Sequence, residues 1–145
     1  MNAVSKGSNP IPQGKYVPAV RHGGIVYTSG MTPRHNGVLT LTGKISSSES
    51  LATYRDPVRL AAANALAAAR NLLTAQEHLA KVLSLTVFIA ADKTFQEHSR
   101  LADFASEYFQ QELGDAGVGS RAAVGVASLP GNAPVEIQLV AAISG

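Results

Sequence analysis

Two neighbouring stretches constrain this chain more than any others. Residues 56–79 read "DPVRLAAANALAAARNLLTAQEHL", dominated by strong helix formers, with Asp56 placed to cap a helix and Pro57 suited to its first turn. The alanine-rich middle lets such a helix lie very close to a sheet. Next comes "KVLSLTVFIAA" at 81–91, β-branched and continuously apolar, the pattern of a central strand. A Thr94-x-x-Glu97 capping box then opens a second helix. That helix puts Phe95, Ala102, Ala105 and Phe109 on one stripe and meets a natural stop at Gly114.

Shorter β-prone runs flank this unit. "YVPAVRHGGIVYTSG" at 16–30 reads as a hairpin turning at His22-Gly23-Gly24, and Pro18 confines its first run to a sheet edge or an irregular stretch. "RHNG" at 34–37 reads as a turn, "GVLTLTGKI" at 37–45 as a third short run and "SSSES" at 46–50 as a linker. Two strands close the chain around "LPGNAP". The order β-β-(β)-α-β-α-β-β predicts an α+β sandwich, a mixed sheet with two helices on one face. Residues 1–13, rich in Ser, Gly, Asn and Pro, read as a flexible lead-in, and 14–145 as a single domain.

Composition narrows the function. With no cysteine, thiolate metal sites and cysteine nucleophiles are out. The formal charge is only +2 and the basic residues are scattered without interleaved aromatics, so nothing in the charge pattern asks for nucleic acid. His22, His35, His78 and His98 show no metal-ligand spacing, and His98 reads as a packing residue. Ser29 lacks a nucleophile-elbow context, which favours binding over nucleophilic attack. The chain shows neither a signal-peptide core nor a membrane-length apolar stretch, making the cytoplasm the expected location. A charged fraction of 15% on so small a domain points to surface covered by a partner, most simply another copy.

The C-terminal segment "SRAAVGVASLPGNAPVEI" at 120–137 is made of small apolar residues, yet it holds Arg121 and Glu136. Alternation puts each charge on the less apolar face of its strand. Solvated strand ends are the simplest reading. If the two strands pair as a hairpin, Arg121 and Glu136 lie roughly 20 Å apart at ~3.3 Å per residue, too far for an ion pair within one chain. Either the two are unrelated or they meet between subunits.

The same residues carry a resemblance. "SRAAVGVASLPGNAPVEI" resembles the signature of the RidA (YjgF) family, and "GKYVPAV" with "GGIVYTSGMTP" is similar to its N-terminal hairpin. "LTVFIA" matches its central strand, and the wording is most like an atypical, endoribonuclease-like (L-PSP) branch. The resemblance runs from about Gly14 to the end. It implies a chorismate-mutase-like fold assembled as a homotrimer with intersubunit clefts. It also implies cofactor-independent hydrolysis of small imino or enamino acids to 2-keto acids and ammonia, a deaminase activity needing no metal. Arg121 would then anchor the carboxylate of a small metabolite, a task its planar fork suits. Glu136 would work through water, Tyr16 and Ser29 would supply hydroxyls, and Gly30 would permit close backbone approach.

Two positions depart from the family pattern. Ala123 stands where typical deaminases have a cysteine, and Asp103 falls where the family has an asparagine on the second helix. A carboxylate there would repel a carboxylate substrate unless it is protonated or turned away. Asp103 shares its side of that helix with Ser99 and Ser106, as a solvated surface residue also would. These departures support an alternative reading, a non-catalytic binder of small carboxylates. A ribonuclease is implied by the branch label alone, without a histidine pair, metal site or basic groove in the sequence.

Overall fold

The computed structural model describes residues 9–145. Most of the lead-in expected at 1–13 therefore lies outside the described residues. Strands β1 (Ala19–His22) and β2 (Ile25–Thr28) form the expected hairpin, with Gly23 at positive φ in the turn. Strands β3 (Arg34–His35) and β4 (Val38–Leu39) make a separate two-residue ribbon, closed by Asn36 and Gly37, both at positive φ. The third run is thus much shorter than its apolar alternation predicts. The chain instead passes through Ile45, whose fully buried side chain and bridge to Ala91 tie this segment to the core.

Helix α1 spans Arg55–Arg70 and α2 spans His98–Leu113, with β5 (His78–Ala90) between them. Two capping expectations are corrected. Asp56 does not cap α1, because a 3-10 turn at Leu51–Tyr54, capped by Ser50, leads the chain in one turn earlier. The Thr94–Glu97 box does not form. Thr94 and Ser47 both donate to the Asp92 carboxylate, and Glu97 pairs with Arg100 at 2.6 Å. Helix α2 begins only at His98, with Glu97 at its cap position, so Thr94 lies too far upstream for its hydroxyl to accept from the first-turn N–H groups. At its far end α1 stops at Asn71, whose side chain turns back onto the Ala67 carbonyl, so the helix is shorter than the propensities of 72–79 predict.

Strands β6 (Ser120–Val126) and β7 (Val135–Ser144) complete a five-stranded sheet of order β1-β2-β7-β5-β6. They do not form the hairpin entertained from the sequence: β6 runs parallel to β5 and β7 antiparallel to it, on opposite sides. The cause is the connection. Residues 127–134 are too many for a tight turn, and Gly131 and Asn132 at positive φ bend them across the end of β5. Meanwhile β5, the longest strand, presents both edges for pairing.

Both helices pack on one face of the sheet. There Val26, Val82, Leu85, Val87, Ile89, Val135, Ile137, Leu139 and Ala141 meet Val58, Leu66, Leu101 and Phe109 in one core. Five alanines of α1, at positions 61, 62, 65, 68 and 69, are almost wholly buried and let the helix approach the sheet closely. Each fully buried Leu, Ile, Val or Phe contributes about 1.5–3 kcal/mol. Among the described residues no helix covers the opposite face, and on it Val20, Tyr27 and Val124 remain exposed.

Candidate functional site

The sheet register decides where the charges fall. Arg121 on β6 lies beside Leu85, a residue of the helix-covered face, whereas Glu136 on β7 lies beside Phe88, on the open face. Arg121 and Glu136 therefore point to opposite sides of one sheet. With two strand spacings between them and three residues of offset along β5, their Cα atoms are ~14 Å apart. The two cannot meet within one chain, though for a different reason from the hairpin geometry.

Arg121 is held at the seam between β6 and α2. Its Nη1 donates to Asp103 Oδ1 at 2.8 Å and to Ser106 Oγ at 3.0 Å. Its Nη2 donates to Ser99 Oγ at 2.8 Å and to the Ser99 carbonyl at 3.2 Å. The four terminal N–H groups are thus all engaged. Residues 99, 103 and 106 reach one guanidinium because they share a helical stripe, a spacing visible in the sequence without any sign of what it serves. Asp103 is not turned away from the arginine but forms an ion pair with it. Its side chain is still 55% exposed, against 20% for Arg121. Farther along the same seam, His98 packs edge-on against Phe95, and Gly125 leaves room for its ring. That is a packing role.

Glu136 is half-buried, and no described residue donates a hydrogen bond to its carboxyl or pairs with it. Burial pushes its pKa up, because losing water penalises the charged form. Its carboxyl lies against Gly30, occupying the space that a Cβ there would fill. The close approach that Gly30 permits is thus made by the protein's own glutamate.

Tyr16 and Ser29 both make hydrogen bonds within the chain. The Ser29 hydroxyl donates to the Val17 carbonyl at 2.7 Å, fastening the segment before β1. The Tyr16 hydroxyl accepts from the Gln13 backbone at 3.0 Å and keeps its own proton available. Tyr16 and Gly30 nevertheless share the rim of a cleft of about 430 Å³, with Thr32, Arg34, Asn64 and Tyr108 also in its walls. Asn64 donates to the Thr32 and Arg34 carbonyls and so fixes the β3–β4 ribbon over this cleft.

Among the described residues no group of three or more His, Cys, Asp or Glu side chains could hold a metal ion, and no helix is long and apolar enough to cross a membrane.

Fold and charges together define an α+β protein whose mixed sheet bears an arginine near its edge and a lone glutamate on the face that no described helix covers. The chain belongs to the Endoribonuclease L-PSP family, the YjgF/RidA family, whose sequence profile matches residues 6–143. It is 29% identical over 127 residues to Protein TCP17 of Trypanosoma cruzi, covering 87% of this chain and 79% of that one. Among solved structures, Atu1372 of Agrobacterium tumefaciens, a protein of unknown function, superposes with a TM-score of 0.81 at 34% identity, covering 93% and 87% of the two chains. YyfA of Yersinia pestis, of the Rid family, gives 0.69 at 25% identity, covering 97% and 96%.

Proposed function

We propose that this protein is a cofactor-independent hydrolase of small imino or enamino acids, working as a homotrimer. Arg121 of one protomer and Glu136 of its neighbour would enclose each site. The observation that carries this reading is the placement of Arg121 and Glu136 on opposite faces of one sheet. A second copy can bring the two together where a single chain cannot. The open face supports such an assembly, since Val20, Tyr27 and Val124 are apolar, exposed and uncovered by any helix.

The chemistry then follows from the two groups. The substrate carboxylate rests on the guanidinium. Water adds to the carbon of the protonated C=N bond, the π pair moves to nitrogen, and Glu136 takes the water proton. Glu136 returns that proton to nitrogen and the C–N bond breaks, releasing ammonia. The remaining hydroxyl gives its proton to Glu136, again a carboxylate, as it becomes the carbonyl of a 2-keto acid, and Glu136 passes that proton to solvent or the departing ammonia. A carboxyl whose pKa is raised by burial suits this exchange, which typically contributes ~10²–10⁴-fold.

A second reading, a carboxylate binder without turnover, keeps the Arg121 clamp and is favoured by the two departures near it: Ala123 in place of the usual cysteine, and Asp103 against the guanidinium. One experiment separates the two. Imine generated by an amino-acid oxidase is trapped with semicarbazide, and its loss is followed with and without protein. Faster loss that disappears in Arg121→Ala and Glu136→Gln is the expected result. Carboxylate binding without faster loss would leave the binder.

A further inference from the structure

The Asp103–Arg121 ion pair alters what the anchor can recognise. An isolated guanidinium attracts any carboxylate, but here a second carboxylate stands 2.8 Å from its Nη1. The pair is close to neutral overall, so a simple anion approaching Arg121 gains little and meets Asp103 as a like charge. A ligand with adjacent opposite charges fares differently. Its carboxylate can face the guanidinium while its cationic nitrogen faces Asp103.

Asp103 is equipped for that contact. Its Oδ1 is committed to Arg121, whereas its Oδ2 accepts no hydrogen bond from any described residue, and the side chain is more than half exposed. The hydroxyls of Ser99 and Ser106, which also bind Arg121, can rotate and yield their places to ligand oxygens. Asp103 also borders a groove with Glu49, Glu97 and Glu107, in which Arg100 is taken up by Glu97. The surroundings of Asp103 therefore favour a positive group.

We propose that Asp103 sets the ligand class of the Arg121 anchor: a small zwitterion with a cationic N–H group next to its carboxylate, in preference to an anion of the same size. The inference rests on Arg121 being the ligand anchor. It also discriminates between the two ends of the proposed reaction. A protonated imino acid carries such a nitrogen and the 2-keto acid product does not, so the product meets Asp103 with nothing to offer it and leaves.

The test uses unreactive probes of matched size, L-alanine and L-lactate, titrated calorimetrically into wild-type protein, Asp103→Asn and Arg121→Ala. Wild type should prefer alanine. In Asp103→Asn the alanine-to-lactate affinity ratio should fall at least ~10-fold, the scale of one charge-assisted hydrogen bond. Asp103→Glu, which keeps the charge, should retain the preference, and circular dichroism checks that each variant folds. Preference for lactate in wild type, or a ratio unchanged in Asp103→Asn while both probes still need Arg121, overturns this inference alone. Failure of both probes to bind, or binding indifferent to Arg121→Ala, overturns it together with the anchor on which it rests.

Discussion

The carboxyl group of Glu136 lies against the Cα of Gly30, in the space that any side chain at position 30 would need. Gly30 therefore acts as a seat for the glutamate. In Gly30→Ala the flexible Glu136 side chain must swing aside while the backbone stays in place. Stability should fall by only about 1 kcal/mol, the low end for overpacking. The rate of imine loss should fall ~10²-fold, as expected when a proton-transferring group is displaced by about an ångström. Melting curves and rates measured on the same preparation check both halves.

Burial of Glu136 raises its pKa above the ordinary value of 4.5, which fixes two signs. As a base it works only as the carboxylate, so kcat/KM should rise with pH through that raised pKa, and Glu136→Gln should abolish this limb. The folded state also holds the carboxyl proton more tightly than the unfolded chain does. The stability contributed by this group is complete below the unfolded pKa and is lost as pH rises through the folded one. Glu136→Gln should therefore be more stable than wild type at neutral pH and no more stable well below pH 4.5. Denaturant titrations at several pH values test this.

Arg21 on β1 grips Glu77, just before β5, through two contacts of 2.6 Å, and Glu77 also accepts from the Thr74 backbone. The guanidinium, by hydrogen bonding first, holds the Glu77 pKa down to about 2. Here the sign is the reverse. This stability is present above the unfolded value of 4.5 and drains away as pH falls toward about 2. Wild type and Glu77→Gln should differ most at neutral pH and converge in acid. A difference in melting temperature that stays constant down to pH ~2 would count against the pair.

The open sheet face provides a test of assembly. Light scattering of the wild type should give the mass of three chains. Replacing Val124 or Tyr27, both exposed on that face, by Glu should yield smaller species, because a buried unpaired carboxylate costs several kcal/mol. A wild type that is monomeric would deprive Glu136 and Arg121 of any meeting place.

Much of the architecture could be read from residue order. Pro18 just before β1 marks an edge strand, His22-Gly23-Gly24 a hairpin, and the apolar run of β5 a central strand. Gly114 stops α2 at positive φ, as expected. These features depend on neighbours a few residues away, where sterics and periodicity act. The helix starts were less legible. Asp56 and Thr94 are good caps in isolation, but the 3-10 turn capped by Ser50 carries α1 in earlier, and Asp92, which also takes hydrogen bonds from the distant Ser47, claims the Thr94 hydroxyl proton.

The candidate site divides in the same way. Sequence alone was enough to single out Arg121 and Glu136, because charges in a small apolar setting stand out by chemistry, whereas Gly30 and Asp103 were marked only by the family resemblance. It also placed Asp103 with Ser99 and Ser106, since helical periodicity is local. Tertiary structure alone decided that β7 inserts between β2 and β5, which sends Arg121 and Glu136 to opposite faces. It also decided that Asp103 grips Arg121, and that Gly30 makes room for Glu136. Those outcomes depend on strand pairing between distant segments, where a single register sets the face of every side chain and no local preference specifies the partner.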